Sequence, residues 1–423
     1  MKKKNQKTFV TLGRCAHGEY LPVQSDKSFL LLFVHKRKTS PSFFWVCLMY
    51  VNVAIVKETQ PHERRVALVP SVAPKLIKLG AKLHMQTGAG AAIRLADAAF
   101  KDVAFIADRK ELVAEADVVL AVQPPALEVI DAMKEGAILI SFIYAAREPA
   151  LVKRLLVKRI TCFAMEMLPR ITRAQSMDAL SSGSALAGYY AVGLGATHLG
   201  RVLPKITTAA GAIGPAKVLV MGLGVAGLEA LATAHRLGAV TEGYDVRPET
   251  EEQALSLGAT FVKTGVDATG KGGYARALIA EEQIKVAAAL TKHIQAADLI
   301  ITTAAIPGGP SPKLISKAQV AGMKAGSVIV DLSAEGGGNC EDTIPGETTE
   351  IGQVTIVAPL NVPSLLGEDA SELYAKNQYN LLLLMMKDNI ITIDWNDEIL
   401  AKTVLTHNGE LKNQAAPPVP KVA

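Results

Sequence analysis

Short apolar runs alternate along the body of the chain with segments in which apolar residues recur at helical spacing. Runs with the length and composition of buried strands occupy residues 51–56, 82–86, 118–122, 138–144 and 161–167. Helical spacing between these runs predicts helices over residues 71–79, 126–133 and 149–158. Nearly continuous apolar strands that alternate with helices are typical of a parallel sheet covered on both faces.

The same alternation begins again after a polar stretch at residues 169–184 and an Ala/Gly-rich helix candidate at 185–200. Strands are predicted in this second series at residues 217–221, 240–244, 260–263, 298–303 and 327–332. A last helix is predicted at 369–386, and the chain becomes polar after Asn408. The pattern predicts an α/β fold of two Rossmann-like, doubly wound parallel-sheet domains separated by a cleft. We expect a discontinuous first domain of residues 49–180 plus 367–423 and a second domain of residues 181–366.

Residues 1–48 do not follow this pattern. They hold nine Lys and Arg residues against two acidic ones, and they lack the long apolar region and small-residue cleavage site of a signal peptide. Regular alternation begins at Met49, so this basic extension is predicted to be disordered or not translated. Since the whole chain carries a formal charge of +5, the remaining residues are close to neutral, and no nucleic-acid partner is expected.

Composition narrows the functional class further. Apolar residues make up 49% of the chain, yet no run of about 20 uninterrupted apolar residues occurs, so no transmembrane segment is expected. The four cysteines lie far apart without a CxxC pair, which favours a reducing cytoplasm over a disulfide framework. The eight histidines are dispersed without metal-ligand spacing, and no metal site is expected.

The second series contains a phosphate-binding signature. The predicted strand at 217–221 runs directly into Gly222-Leu223-Gly224-Val225-Ala226-Gly227, which a predicted helix follows. In this G-x-G-x-x-G pattern Gly222 permits a tight turn, Gly224 lets a pyrophosphate approach the backbone, and Gly227 lets helix and strand pack closely. The helix N-terminus then offers free N–H groups to the anion. The alternative is an ordinary glycine-rich turn without a ligand.

An acidic residue strengthens the dinucleotide interpretation. Asp245 ends the next predicted strand, where a carboxylate accepts hydrogen bonds from ribose hydroxyls and repels a 2′-phosphate. NAD(H) is therefore favoured over NADP(H) as the coenzyme of this chain. Arg247 complicates that preference, because an arginine at this place can accept a phosphate.

Two further segments carry candidate chemistry. Arg170, Gln175 and Asp178 supply a cation, an amide and a carboxylate between the two series, where ligands of open α/β proteins bind. These groups would orient a nicotinamide carboxamide and its ribose, or the stretch is a solvated linker; spacing alone leaves both open. The small-residue turn at 303–309 allows backbone contact with a ring or a ribose, or simply ends a strand.

Residues 53–386 resemble the soluble NAD(H)-binding component, domain I of the alpha subunit, of proton-translocating NAD(P) transhydrogenases. The resemblance rests on eight segments: 57–58, 63–68, 169–182, 221–230, 272–275, 301–308, 331–339 and 361–364. It implies that NADH bound here passes a hydride directly to NADP⁺ held on a separate partner. Such a protein needs no covalent nucleophile, because it has only to hold two nicotinamide rings together and exclude water.

The resemblance also implies a site. The catalytic group would be Arg170, Gln175, Asp178, Ser181 and Tyr274, and Gly273 with Tyr274 would belong to a mobile loop that closes over NAD(H). The residues expected to bind the coenzyme are Arg170, Ile171, Thr172, Gln175, Ser176, Met177, Asp178, Gly222, Leu223, Gly224, Val225, Gly227, Asp245, Val246, Arg247, Gly273 and, through its backbone, Ala305. Gly183, Ala185 and Tyr190 depart from the family pattern at the start of the long helix.

The partners implied by the resemblance are a second copy of the chain, an NADP(H)-binding beta subunit and a small membrane alpha-2 subunit. The chain would then be cytoplasmic and peripheral to the inner membrane through these subunits.

Alanine dehydrogenase is the alternative family, since it shares the architecture and the arginine at Arg65. That enzyme needs a lysine and a histidine where this chain has Gln123 and Tyr144, so amino-acid oxidation is chemically implausible. A catalytically silent NADH-binding module is a third interpretation, and an assay would separate it from the enzyme.

Overall fold

The computed structural model describes residues 50–269, 276, 278–306, 309–387 and 389–413. The basic extension predicted at residues 1–48 lies outside these ranges. The strands are β1 Val51–Ile55, β2 Ala81–Gln86, β3 Val103–Ile106, β4 Val118–Leu120, β5 Ile138–Ser141, β6 Thr161–Ala164, β7 Ile206–Thr208, β8 Gly211–Ile213, β9 Lys217–Met221, β10 Val240–Tyr244, β11 Thr260–Phe261, β12 Leu299–Thr302, β13 Val328–Asp331, β14 Thr348–Ile351, β15 Val354–Val357, β16 Met386–Lys387, β17 Ile390–Ile391, β18 Val404–His407 and β19 Glu410–Leu411. The α-helices are α1 Ala73–Lys78, α2 Arg109–Ala114, α3 Leu127–Ala132, α4 Pro149–Val157, α5 Ala179–His198, α6 Val225–Arg236, α7 Thr250–Ser256, α8 Ala280–Ala296, α9 Lys317–Ala321, α10 Val362–Leu365, α11 Gly367–Leu382 and α12 Glu398–Thr403.

The first sheet has the strand order β19-β18-β6-β5-β4-β1-β2-β3. The six strands from β6 to β3 are parallel, and β18 and β19 extend the edge in antiparallel fashion. Val53 and Ile55 belong to one buried cluster while Ala54 and Val56 belong to another, so helices cover both faces of the sheet. This explains why β1 reads as a continuous apolar run.

The second sheet has the order β11-β10-β9-β12-β13-β15-β14, and its strands are parallel except for β14. It is built like the first, because Val218 and Val220 pack into one cluster and Leu219 and Met221 into another. Strand order reverses at β9, from which β10 lies on one side and β12 on the other. Ligands of open parallel sheets bind at the carboxyl ends of strands at such a reversal.

Within the described residues the chain passes between the two sheets twice. The first passage is α5, whose Ala179 packs into the core of the first sheet and whose Ala191 and Val192 pack into that of the second. The second passage leads from β15 through α10 into α11, where Tyr374 and Leu381 return to the first core. The exact domain boundaries stay a prediction.

Several elements differ from the sequence-based prediction. The helix predicted at 185–200 begins already at Ala179, because the side chain of Asp178 caps it by accepting the backbone N–H of Ser181. The polar tail predicted after Asn408 still contributes β19, which pairs with β18. Edge elements such as β3, β14, β18 and the helix α8 were not predicted, since they are short or half-exposed and carry a weak apolar pattern. No helix in the described ranges combines the length and the apolar character needed to cross a bilayer.

Candidate functional site

The glycine turn joins β9 to α6, as its sequence predicts. Gly222 has a φ of +97°, a left-handed conformation that side chains disfavour, and a Cβ there would lie 2.9 Å from the amide nitrogen of Ala304. A Cβ on Gly227 would lie 1.8 Å from the carbonyl oxygen of Gly222. The packing of the turn therefore requires both glycines.

Gly224 is different, because the fold does not require it. A Cβ on Gly224 would meet no atom within 4 Å, and Gly224 and Val225 are both exposed. The open space lies in front of the N-terminus of α6, where unpaired N–H groups and the helix dipole favour an anion. The absence of a side chain at this position is explained by a ligand that approaches the backbone.

Asp245 follows β10 and lies against the glycine turn. Its Oδ2 accepts the backbone N–H of Leu223 at 2.7 Å, and its side chain is 7% exposed. Arg247 donates to the same carboxylate from its backbone N–H (3.0 Å), from Nε (2.8 Å) and from Nη2 (2.8 Å). Four donors match the roughly four lone-pair sites of a carboxylate. In this state Arg247 occupies the acceptors that ribose hydroxyls would use, a feature that sequence reasoning missed.

Val246, between these two residues, is half-buried and packs against the core of the second sheet. The structure thus brings Leu223, Asp245, Val246 and Arg247 together at one end of the turn.

The polar stretch forms a compact corner at the end of the first sheet. Residues Thr172–Met177 form a 3₁₀ helix, and Asp178 then caps α5. The carboxylate of Asp178 accepts the backbone N–H of Ser181 at 2.9 Å and its hydroxyl at 2.6 Å. These two candidate residues are therefore in direct contact.

The other residues of the corner divide into exposed and anchored groups. Arg170, Thr172 and Gln175 are exposed, whereas Met177 is buried in the first core and Ile171 packs against it. The carbonyl oxygen of Ser176 accepts hydrogen bonds from Asn377 and Asn380 of α11 at 3.0 and 2.9 Å. Met177 and Ser176 hold the corner in place, and the exposed side chains face outward from it.

Helix α5 connects the polar corner to the glycine turn. A Cβ on Gly188 would lie 2.1 Å from the carbonyl oxygen of Ala226, so α5 contacts the start of α6 directly. At 1.5 Å per residue, Ser181 and Gly188 are about 10 Å apart along the helix axis. One rigid element therefore sets the spacing between a group of polar side chains and an anion-binding turn.

The small-residue turn after β12 completes the arrangement. The hydroxyl of Thr303 donates to the carbonyl oxygen of Gly222 at 2.8 Å. Asn339 accepts the N–H of Ala304 at 2.9 Å and donates to its carbonyl oxygen at 2.8 Å. Ala305 is exposed next to this anchored peptide. Asn339 was not singled out from the sequence, because its partner lies 35 positions away.

The expectations for Gly273 and Tyr274 fall on residues outside the described ranges and stay predictions. Among the described residues, no group of three or more His, Cys, Asp or Glu side chains is arranged to hold a metal ion.

The groups that would serve an alanine dehydrogenase have other partners here. Arg65 binds Glu63 through Nε (2.9 Å) and Nη2 (2.7 Å), and Gln123 donates to the same carboxylate at 2.8 Å. Burial alone would favour the neutral acid, but hydrogen bonds and the charge of Arg65 lower the pKa of Glu63 to about 2. Burial raises the pKa of Tyr144, so its phenol stays protonated near neutral pH. A keto acid would find Arg65 already paired and no proton donor that titrates near neutrality.

Comparisons with known proteins agree with this geometry. The family models of the N-terminal and C-terminal domains of alanine dehydrogenase/PNT match residues 54–187 and 191–414. The first of the parts into which the NAD(P) transhydrogenase subunit alpha of Rhodospirillum rubrum is divided is 42% identical over 378 residues, which cover 86% of this chain and 98% of that protein.

The chain belongs to the alanine dehydrogenase/PNT family.

Within the family its similarity to transhydrogenase alpha subunits is the greater. The crystal structure of transhydrogenase from Sinorhizobium meliloti matches with a TM-score of 0.76 at 40% identity, covering 86% of this chain and 100% of that one. The alanine dehydrogenase of Methanococcus maripaludis is 30% identical over 302 residues, which cover 70% of this chain and 75% of that protein. The family resemblance and the two-sheet α/β fold predicted from the sequence are thereby confirmed.

Proposed function

We propose that this chain is the NAD(H)-binding catalytic component of a proton-translocating NAD(P) transhydrogenase, in which a hydride passes directly between NADH on this chain and NADP⁺ on a partner. One observation carries the proposal. A single helix, α5, holds the Asp178–Ser181 corner of the first sheet at a fixed spacing from the open glycine turn of the second. An extended dinucleotide has two nucleotide halves to place in this way.

The residues present fit such a coenzyme. The open backbone at Gly224 accommodates a pyrophosphate, and Asp245 is placed for the adenosine ribose. Gln175 and Arg170 are exposed beside the Asp178–Ser181 pair, where an amide and a cation would orient a nicotinamide carboxamide and its ribose. The bound nicotinamide supplies the hydride. Because one coenzyme loses the hydride that the other gains, no protein side chain has to exchange a proton, and the chain acts by orientation.

The proposed partners follow from the same family. They are an NADP(H)-binding beta subunit and a small membrane alpha-2 subunit, which would carry proton translocation and hold this chain at the cytoplasmic face of the inner membrane. A second copy of the chain is supported by the β7–β8 hairpin. Its two strands pair only with each other among the described residues, and all six of their residues are exposed, including Ile206 and Ile213. A two-stranded hairpin is marginal alone and gains stability against a partner surface.

The coenzyme choice gives a direct test. We expect Asp245→Ala to weaken NADH binding by about 10- to 100-fold, because a charged acceptor of ribose hydroxyls is lost. It should also reduce discrimination against NADPH, since the repulsion of a 2′-phosphate disappears. Titration of both coenzymes by fluorescence measures both effects.

Asp108→Ala is the matched control, because Asp108 also accepts a backbone N–H, at the start of α2, but lies in the other sheet. It should leave both affinities unchanged. Wild-type selectivity in Asp245→Ala would contradict the assigned role.

A further inference from the structure

The second passage between the sheets contains an unusual residue. Asn361, just before α10, has a φ of +44°, a left-handed conformation that asparagine tolerates better than most side chains. Its backbone N–H donates to Oε1 of Glu335 at 2.8 Å, which fixes it to the loop after β13 of the second sheet. The neighbouring Ser364 is fully buried.

The side chain of Asn361 reaches the other sheet. Its Nδ2 donates to Oε2 of Glu63 at 3.0 Å and to the carbonyl oxygen of His62 at 3.1 Å, across about 300 positions of sequence. Ser364 repeats the connection, since its hydroxyl donates to Oε1 of Glu63 at 3.0 Å. We call Glu63, Arg65, Asn361 and Ser364 the intersheet clasp.

The clasp is centred on a buried charge. The side chains of Glu63 and Arg65 are 0% and 7% exposed, and the ion pair keeps the carboxylate ionised. Hydrogen bonds to an ionised acceptor are stronger than neutral ones, and the loss of a donor leaves a buried charge less well satisfied. The clasp therefore has one preferred geometry.

The clasp lies beside the polar corner of the coenzyme site. A Cβ on Gly183 would lie 3.3 Å from Cγ of Pro363, so the residue after Val362 packs against α5 one turn from Ser181. This contact explains the departure at Gly183, where a larger residue would push α10 away from α5. The segment that carries Asn361 thus touches the same helix that spaces the two halves of the site.

We propose that Asn361 is a positioning residue: by tying the return passage to Glu63 it fixes the placement of the second sheet relative to the first, and with it the gap that a dinucleotide must bridge. The inference rests on the proposed function for its catalytic consequence. Only asparagine and aspartate combine tolerance of the left-handed backbone with a short polar side chain, and of these only asparagine donates to a carboxylate at neutral pH.

Two variants separate the backbone from the amide. Asn361→Gly keeps the left-handed conformation and removes the donor, and Asn361→Asp keeps the shape but faces Glu63 with an acceptor. Asn408→Gly is the matched control, because Asn408 also has a left-handed backbone (φ +50°) but lies in the turn between β18 and β19.

The readout independent of activity is the distance between spin labels on the two sheets in the full chain. Lys110 and Lys292 are exposed, one on each sheet's helices, and can be changed to cysteine once Cys15 and Cys47 are replaced by serine. Cys162 and Cys340 are buried. We expect one narrow distance in the wild type and in Asn408→Gly, and a broadened or shifted distribution in both Asn361 variants.

The second readout is hydride transfer at saturating coenzymes with an NADP(H)-binding partner domain. We expect Asn361→Gly to slow it by about tenfold or more, with NADH affinity nearly unchanged. Asn361→Asp should be similarly slow at pH 8 and recover toward pH 6, as the introduced carboxyl takes up a proton and can donate to Glu63. The charged groups around that carboxyl are Glu63, Arg65, Glu335 and, through Gln123, Glu58.

Wild-type label distances in both Asn361 variants would overturn the proposal, and so would wild-type transfer rates in both. If the wild type itself transferred no hydride, the proposed function would fail, while the label distances would still judge the clasp.

Discussion

Gly224→Ala is expected to fold like the wild type and to bind NADH about 10- to 100-fold more weakly. A methyl group at Gly224 meets no protein atom within 4 Å, so it costs the folded state little. The same methyl group would stand where the pyrophosphate approaches the backbone N–H groups of α6. Each charge-assisted hydrogen bond that is lost costs about 1.5–3 kcal/mol of binding free energy, and about 1.4 kcal/mol corresponds to a tenfold change in affinity.

Gly227→Ala is the contrasting variant in the same turn. Its methyl group would lie 1.8 Å from the carbonyl oxygen of Gly222, and neither backbone can give way cheaply. We expect the free energy of unfolding to fall by about 3 kcal/mol or more, at the upper end of overpacking costs. Thermal unfolding and NADH titration of the two variants therefore give opposite patterns.

Gly193→Ala is the control for alanine itself, since Gly193 is exposed on α5 and an added Cβ there meets no atom within 4 Å. It should raise stability by about 1 kcal/mol and leave NADH affinity unchanged. Wild-type NADH affinity in Gly224→Ala would show that the pyrophosphate does not approach at this glycine.

The second large effect is expected from Gln175→Asn. Gln175 is exposed on the 3₁₀ turn, and its side-chain amide makes no hydrogen bond to another described residue, so it is available to a ligand. Shortening the side chain withdraws the amide from the nicotinamide while keeping its chemistry. A displacement of about 1 Å at a reacting group can cost about 100-fold in rate, and we expect a loss of that size in hydride transfer.

Because most of the binding energy comes from the adenosine and pyrophosphate contacts, the NADH affinity of Gln175→Asn should be nearly unchanged. Single-turnover transfer and NADH titration measure the two quantities separately. Gln253→Asn, on the exposed face of α7, is the control for the substitution. A large loss of affinity with normal transfer would contradict an orienting role for Gln175.

The parts of the site that the sequence predicts are those encoded locally. The glycine turn could be located because three glycines, a strand and a helix follow one another within about twenty residues. The polar corner could be located, but the capping pair of Asp178 and Ser181 was hidden by a polar pattern that concealed the first turn of α5. An N-cap aspartate three residues before a serine is the signal that would have placed the helix start.

The contacts that were missed join residues far apart in sequence. Asn339 and Ala304 are 35 positions apart, and Asn361 and Glu63 are 298 apart, so no local pattern encodes them. The pairing of Arg247 with Asp245 is local, but both residues also suit a ribose or a phosphate. Their sequence therefore could not tell whether they bind each other or a ligand. The edge strands β18 and β19 were missed because short, half-exposed strands carry little apolar signal.

The most direct test of the account mixes this protein with an NADP(H)-binding partner domain and follows reduction of an NAD analogue by NADPH. Pyruvate with ammonia and NADH, without the partner, is the parallel reaction that an alanine dehydrogenase would catalyse. We predict that the analogue is reduced only when both proteins are present, and that NADH is not consumed in the parallel reaction. Consumption of NADH with pyruvate and ammonia, or binding of NADH without any transfer to the analogue, would contradict the account.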